Sequence, residues 1–127
     1  MIQARLRALR RPLSAATLTL VVLGIGWLAL SPAPPPSVDT GWDKLNHLLA
    51  FAVLSFIAQG AAERPATPRL AVVVGLILYG LGIEAVQAWV PGRSSEWQDL
   101  LANAAGIGSG CALAWAVWRQ KPEAVVD

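Results

Sequence analysis

Charge is scarce in this chain: Asp, Glu, Lys and Arg make up 14% of 127 residues, against 55% hydrophobic. A soluble domain of this size would struggle to keep so much apolar surface from water, so the composition points to a membrane. There is a single cysteine, Cys111, which excludes an internal disulfide and a cysteine-built zinc site and leaves it a packing role. The one histidine, His47, stands in no local metal motif. No serine or cysteine has a base at a diagnostic spacing, and Ser94 and Ser95 read as turn residues. The basic residues form no cluster interleaved with aromatics, which removes the nucleic-acid partner that a pI of about 9.2 would invite. No internal repeat is visible, so an inverted-repeat transporter has no support.

What the chain does have is four long apolar runs, at residues 13–30, 45–62, 70–90 and 100–118. Each is close to the roughly 20 residues that cross about 30 Å of hydrocarbon. The connections are short enough to make neighbouring helices antiparallel. Arg5, Arg7, Arg10, Arg11, Arg64, Arg69, Arg119 and Lys121 fall on one side of such an arrangement and only Lys44 and Arg93 on the other. By the positive-inside rule both termini are cytoplasmic. The expected fold is therefore an all-α membrane protein, a four-transmembrane-helix antiparallel bundle forming a single domain over residues 1–127. The first run is longer than a secretory signal core of about 7–15 residues, and Pro32 after Ser31 suits cleavage poorly, so a retained helix is expected. Trp27, Trp42, Trp89 and Trp97 near one face, with Trp115 and Trp118 near the other, have the placement of aromatic belts.

The prolines of residues 31–37 read as an extended external linker, because proline lacks the amide donor and disfavours helix in the residue before it. Asp39, Thr40 or Asp43 can cap the second helix. Thr67 or Pro68 marks the start of the third, and Ser95 or Glu96 can cap the fourth.

Against this apolar background the polar residues stand out. Glu84 lies inside the third run, where an unpaired charge is expensive and an ionisable group is a functional candidate by default. Asp43 and His47, four apart, share a helical face flanked by Lys44 and Asn46. Glu84 and Gln87 share another, with Gly80 one turn deeper. Asp99, Asn103, Gly106 and Gly110 form a stripe that is polar at its outer end and small further in, a pattern that lets helices approach closely. Alternating helix directions place the three polar stripes at one outer level. Each residue also has an ordinary role open to it: Asp99 a cap, Gln87 and Asn103 interhelical hydrogen bonding, His47 an interfacial histidine. The protonation state of Glu84 stays open.

Asp43, Lys44, His47 and Phe51, then Glu84, Gln87 and Pro91-Gly92-Arg93, then Asp99, Asn103, Gly106 and Gly110, taken in that order and spacing, resemble the VanZ-like family of small bacterial membrane proteins. The resemblance covers roughly residues 42–110; the first helix matches only as an apolar segment. The family takes its name from a protein associated with resistance to teicoplanin-type glycopeptide antibiotics, and the resemblance implies a fold and a motif set without carrying that role to this chain.

The expected function is an outward-facing site in the bacterial cytoplasmic membrane, built from Asp43, Lys44, His47, Glu84, Gln87, Arg93, Asp99 and Asn103. It would bind a lipid headgroup, a cell-wall precursor or an envelope protein, with Lys44 or Arg93 holding an anionic group. An enzyme reading gives Glu84 or His47 a proton to exchange with a lipid-linked or cell-wall substrate. A metal version would use Asp43, His47, Glu84 and Asp99, but the expectation is no metal and no cofactor. A path for ions is disfavoured, because the inner halves offer mainly Ser55, Gln59 and Ser109. The sequence fixes no oligomeric state, although the glycine stripe could pack within or between chains.

Overall fold

In the computed structural model, which describes residues 2–62 and 69–119, the chain forms four helices: α1 (Ile2–Leu30), α2 (Asp43–Ala61), α3 (Arg69–Gln87) and α4 (Trp97–Arg119). No strand occurs among the described residues. The expected proline turn at residues 63–68 and the side chain of Trp118 lie outside what is described.

Three helices carry stretches long and apolar enough to cross a membrane, Leu13–Leu30, Arg69–Gln87 and Trp97–Val117. The expected fourth, α2, is long enough but not apolar enough, because Asp43, Lys44, Asn46, His47 and Gln59 interrupt it. Those residues have a reason to be there. His47, Phe51, Leu54, Ser55, Ala58 and Gln59 are all buried and recur at offsets of three and four, so α2 puts a mixed stripe into the interior.

The molecule is apolar outside and partly polar inside. Leu20, Leu23, Leu70, Leu78, Leu101 and Leu113 are exposed, while His47, Glu84, Gln87, Asp99 and Asn103 are buried. This reverses the soluble pattern and suits a protein solvated by lipid. Trp27, Trp42, Trp89, Trp97 and Trp115 are also exposed, as a belt requires.

A small core of Phe51, Leu54, Ala58, Leu76, Ile83 and Ile107 joins α2, α3 and α4, with α1 adding half-buried Leu18, Val21, Val22 and Ile25. The closest seam is α2 on α4. At Gly106 a Cβ would run into the Leu48 carbonyl oxygen and come within 3.0 Å of Ala52 N; at Gly110 it would meet the Ala52 carbonyl oxygen and Ser55 Cβ at 2.7 Å. Only glycine permits that approach. Pairwise register follows from the contacts. His47 meets Asn103 and Gln59 meets Cys111, so α2 and α4 run the same way. His47 lies by Glu84 and Phe51 by Tyr79, so α2 and α3 run oppositely. The Tyr79 hydroxyl donates to the Val22 carbonyl and Gln87 to that of Ala29, which aligns α1 with α3.

Several ends differ from expectation. Helix α3 stops at Gln87 rather than at residue 90: Pro91 disfavours helix at Val90, and Val90 to Arg93 forms a turn with Gly92 at φ 80° and Arg93 N donating to Val90 O (3.2 Å). Proline then glycine is the type II pattern, and it aims Arg93 back at the end of α1. Helix α2 is preceded by Trp42 with no side-chain cap, and Asp43 is already helical. Asp39 caps a turn instead, accepting from Gly41 N (2.9 Å), and Asn46 ties the linker to α2 by donating to Asp39 (2.7 Å) and accepting from Thr40 N (2.9 Å). The linker is not extended throughout, since Val38 N donates to Pro35 O.

Candidate functional site

His47 is the hub. Its ring is 6% exposed, and the direction of α2 carries it between α3 and α4. Nδ1 lies 2.9 Å from Asn103 Oδ1 and 3.5 Å from Glu84 Oε1, while Nε2 lies 3.7 Å from Asp43 Oδ2, one turn earlier on α2. Oxygen atoms thus face both ring nitrogens, and in the tautomer with the proton on Nδ1 that nitrogen donates to Asn103 Oδ1.

Glu84 comes from α3, 5% exposed. Its Oε2 accepts a hydrogen bond from Ser95 (3.2 Å), whereas Oε1 accepts none. Ser95 was expected to turn the chain or cap α4; its hydroxyl serves the buried carboxylate instead. Asp99, in the first turn of α4, is 1% exposed, and neither of its oxygens accepts a hydrogen bond. The nearest cation is Lys44, with Nζ 3.6 Å from Oδ1. Lys44 has a closer partner, Glu96, at 2.8 Å. That contact holds the Glu96 carboxyl below its ordinary 4.5 and the Lys44 ammonium above its ordinary 10.5. Asp39, at the rim, is held below 3.8 by its hydrogen bond from Asn46 and then by the Gly41 amide.

Arg93 fastens the helix ends on this side together. Nε donates to the Ala29 carbonyl (3.0 Å) at the end of α1, and Nη1 lies 3.6 Å from Asp43 Oδ1. Gln87, fully buried, donates to the same Ala29 carbonyl at 2.7 Å, which is the interhelical role an amide in a membrane bundle commonly has.

The eight expected residues thus gather at one end but not into one surface. Asp43, His47 and Arg93 line a cavity of about 550 Å³ between α1, α2 and the linker, whose other walls include Val21, Ile25, Leu28, Ala50 and Val53. Glu84, Asp99 and Asn103 do not line it. Lys44 stands with Glu96 and Asp99, and Gln87 is turned to α1. Ser95, Glu96 and the Ala29 carbonyl belong to the site although their sequence context gives little sign of it; the only hint is the distance of Pro91-Gly92 from α4, which leaves residues 93–96 spanning the site.

The four-ligand metal set also divides. Ligand atoms of Asp43, His47 and Asp99 all lie within 4.8 Å of one another, with Glu84 outside that group.

An all-helical membrane protein with a buried carboxylate, amide and imidazole site at one end of its helices is the class these observations define. The family described as VanZ/LLP1 matches residues 6–119, and the chain belongs to it. No curated protein and no solved structure matches.

Proposed function

We propose that the protein binds an amphiphile with an anionic head, a membrane lipid or a lipid-linked cell-wall precursor, at an outward-facing site in the bacterial cytoplasmic membrane. In this reading the four helices form an antiparallel bundle with α2 crossing the membrane beside the other three, and both termini are cytoplasmic. The observation that carries it is the two-sided character of the cavity. Val21, Ile25, Leu28, Ala50 and Val53 offer an apolar wall suited to an acyl or isoprenoid chain, and Asp39, Thr40, Asp43, Asn46, His47 and Arg93 supply polar groups. Its volume falls within the range of about 300–1,000 Å³ usual for small-molecule sites. Arg93 presents planar donors suited to phosphate, and the retained carboxylates would select against anions that cannot also donate hydrogen bonds.

The test is mass spectrometry of lipids and glycolipids retained by the purified full-length protein. A defined amphiphile should co-purify with the wild type and be reduced about tenfold or more in His47→Ala and Arg93→Ala, the loss of a charge-assisted contact being worth about 1.5–3 kcal/mol. Equal retention by folded wild type and variants sinks the reading.

A second reading, acid–base catalysis on the same class of molecule, draws on the position of the His47 ring between Asp43 and Glu84. Turnover of an added lipid-linked substrate, abolished in Glu84→Gln with the fold intact, would favour it; recovery of unchanged ligand favours binding.

A further inference from the structure

The polar end carries more negative than positive groups. Asp43, Glu84, Glu96 and Asp99 face Lys44 and Arg93, and Lys44 is engaged by Glu96 at 2.8 Å. The best-buried member of the set, Asp99, is the one least provided for: 1% exposed, no hydrogen bond to either oxygen, and only Oδ1 within ion-pair distance of a cation, at 3.6 Å. A carboxylate in that position is costly unless a proton or a cation joins it.

We propose that Asp43, His47 and Asp99 bind a divalent transition-metal ion. Their ligand atoms lie within 4.8 Å of one another, so side-chain shifts of a few tenths of an ångström bring them to bonds of about 2.0–2.3 Å around a common centre. The proposal uses the tautomer in which Nδ1 donates to Asn103 Oδ1, 2.9 Å away, and Nε2, which faces Asp43 Oδ2 at 3.7 Å, offers its lone pair to the ion. A ligating histidine whose other nitrogen is fixed by an oxygen acceptor is the usual outer-shell arrangement. Asp43 is oriented in the same way, with Oδ1 toward Arg93 Nη1 at 3.6 Å and Oδ2 toward the ring. Two carboxylates and one imidazole suit Mn²⁺ or Zn²⁺ better than Ca²⁺, which takes 6–8 oxygens. The ion would offset negative charge that Lys44 and Arg93 leave unmatched. Three protein ligands leave coordination positions open, and because Asp43 and His47 line the cavity, those positions face it. Glu84, on the Nδ1 side of the ring with Asn103, is not a ligand. The site stands whether or not an amphiphile binds.

The experiment uses the full-length chain in detergent, stripped with a chelator and dialysed against Mn²⁺ alone or Zn²⁺ alone, with metal content measured by elemental mass spectrometry and affinity by calorimetry. No lipid is added, so failure of the amphiphile reading would not affect the result. One ion per chain is expected, with a rise in unfolding temperature on metal addition. Asp99→Asn and Asp43→Asn should each lose affinity by about tenfold or more, and Asn103→Leu, which acts through the ring, by about 10–100-fold. Asp43 is 39% exposed, so Asp43→Asn keeps the test decisive if Asp99→Asn does not fold. Substoichiometric metal in the wild type, or undiminished affinity in folded Asp43→Asn, overturns the proposal.

Discussion

The two ends of the α2–α4 seam use polar residues in opposite ways. Toward the Cys111 end, Ser55 donates to the Ile107 carbonyl (3.0 Å) and meets Cys111 Sγ at 3.2 Å, and Gln59 donates to the same sulfur at 3.3 Å. Apart from Gln59 Oε1, which accepts no hydrogen bond, the groups there answer one another directly, and the glycines bring the backbones close enough for them to do so. At the His47 end the same two helices hold His47 against Asn103 and then leave Asp99 without a hydrogen bond. Packing explains the polar groups at the Cys111 end. It does not explain those around His47, and that contrast sets residues that hold the helices together apart from residues that the proposed function gives to a ligand.

The strongest way to break the contrast is to disturb the seam at the Cys111 end. Gly110→Val should be the most damaging single change, because its Cβ would sit against the backbone of Ala52 and Phe56 and neither can yield without parting the helices. Overpacking of this kind costs about 1–3 kcal/mol and sometimes more. Gly108→Val, on the same helix with nothing within 4 Å of its Cβ, should unfold close to the wild-type temperature. Thermal unfolding in detergent compares them; similar losses for both would mean that the seam is not the stabilising contact.

At the His47 end the expectation is inverted. Glu84→Gln keeps the shape of the side chain and the Ser95 contact but loses the carboxylate beside His47 Nδ1, 3.5 Å away, so ligand retention should fall through the displaced ring while the unfolding temperature holds. A fall in stability with undiminished retention would make Glu84 a packing residue like Gln59.

Much of this division was legible in the sequence. Apolar runs gave α2, α3 and α4 to within about three residues at each end, since a lipid-facing surface demands uninterrupted hydrocarbon, but α1 begins at Ile2, eleven residues before its run. Offsets of three and four put Asp43 with His47 and Asp99 with Asn103, and the glycine stripe of α4 found its partner. What was hidden depended on loops and carbonyls. Ser95 reaches Glu84 only because the Pro91-Gly92 turn folds residues 93–96 over the helix ends, and Ala29 matters for its backbone oxygen, to which no side-chain pattern points. The partition of the eight polar residues between the cavity and the layer behind it was also hidden, since periodicity gives a face but not which neighbour fills it.

A smaller effect is expected from Ser55→Ala. The hydroxyl satisfies the Ile107 carbonyl, and interhelical hydrogen bonds in membrane proteins average about 0.6 kcal/mol. A shift in unfolding temperature well short of that for Gly110→Val, with ligand and metal binding unchanged, would keep Ser55 in the structural half of the comparison; loss of binding would join the two ends into one functional unit.

The smallest effect belongs to the Lys44–Glu96 pair, half-exposed at the rim of the site. Glu96 is held below 4.5 by Lys44, so its contribution is complete above that pH and is lost as pH falls through the depressed value. Lys44 is held above 10.5, chiefly by Glu96, so its contribution is complete below that pH and is lost as pH rises through the raised value. Between these limits Glu96→Gln should lower the unfolding temperature slightly, the more so at low salt. The variant and wild-type curves should converge below pH 4.5, where the wild-type carboxylate protonates. The same variant frees Lys44 to move onto Asp99, 3.6 Å away. A metal held at Asp99 should therefore bind more weakly in Glu96→Gln although Glu96 is not a ligand, and that loss should shrink as salt screens the released ammonium. Binding that is unaffected at low salt would show that Asp99 does not depend on Glu96 to keep Lys44 away from it.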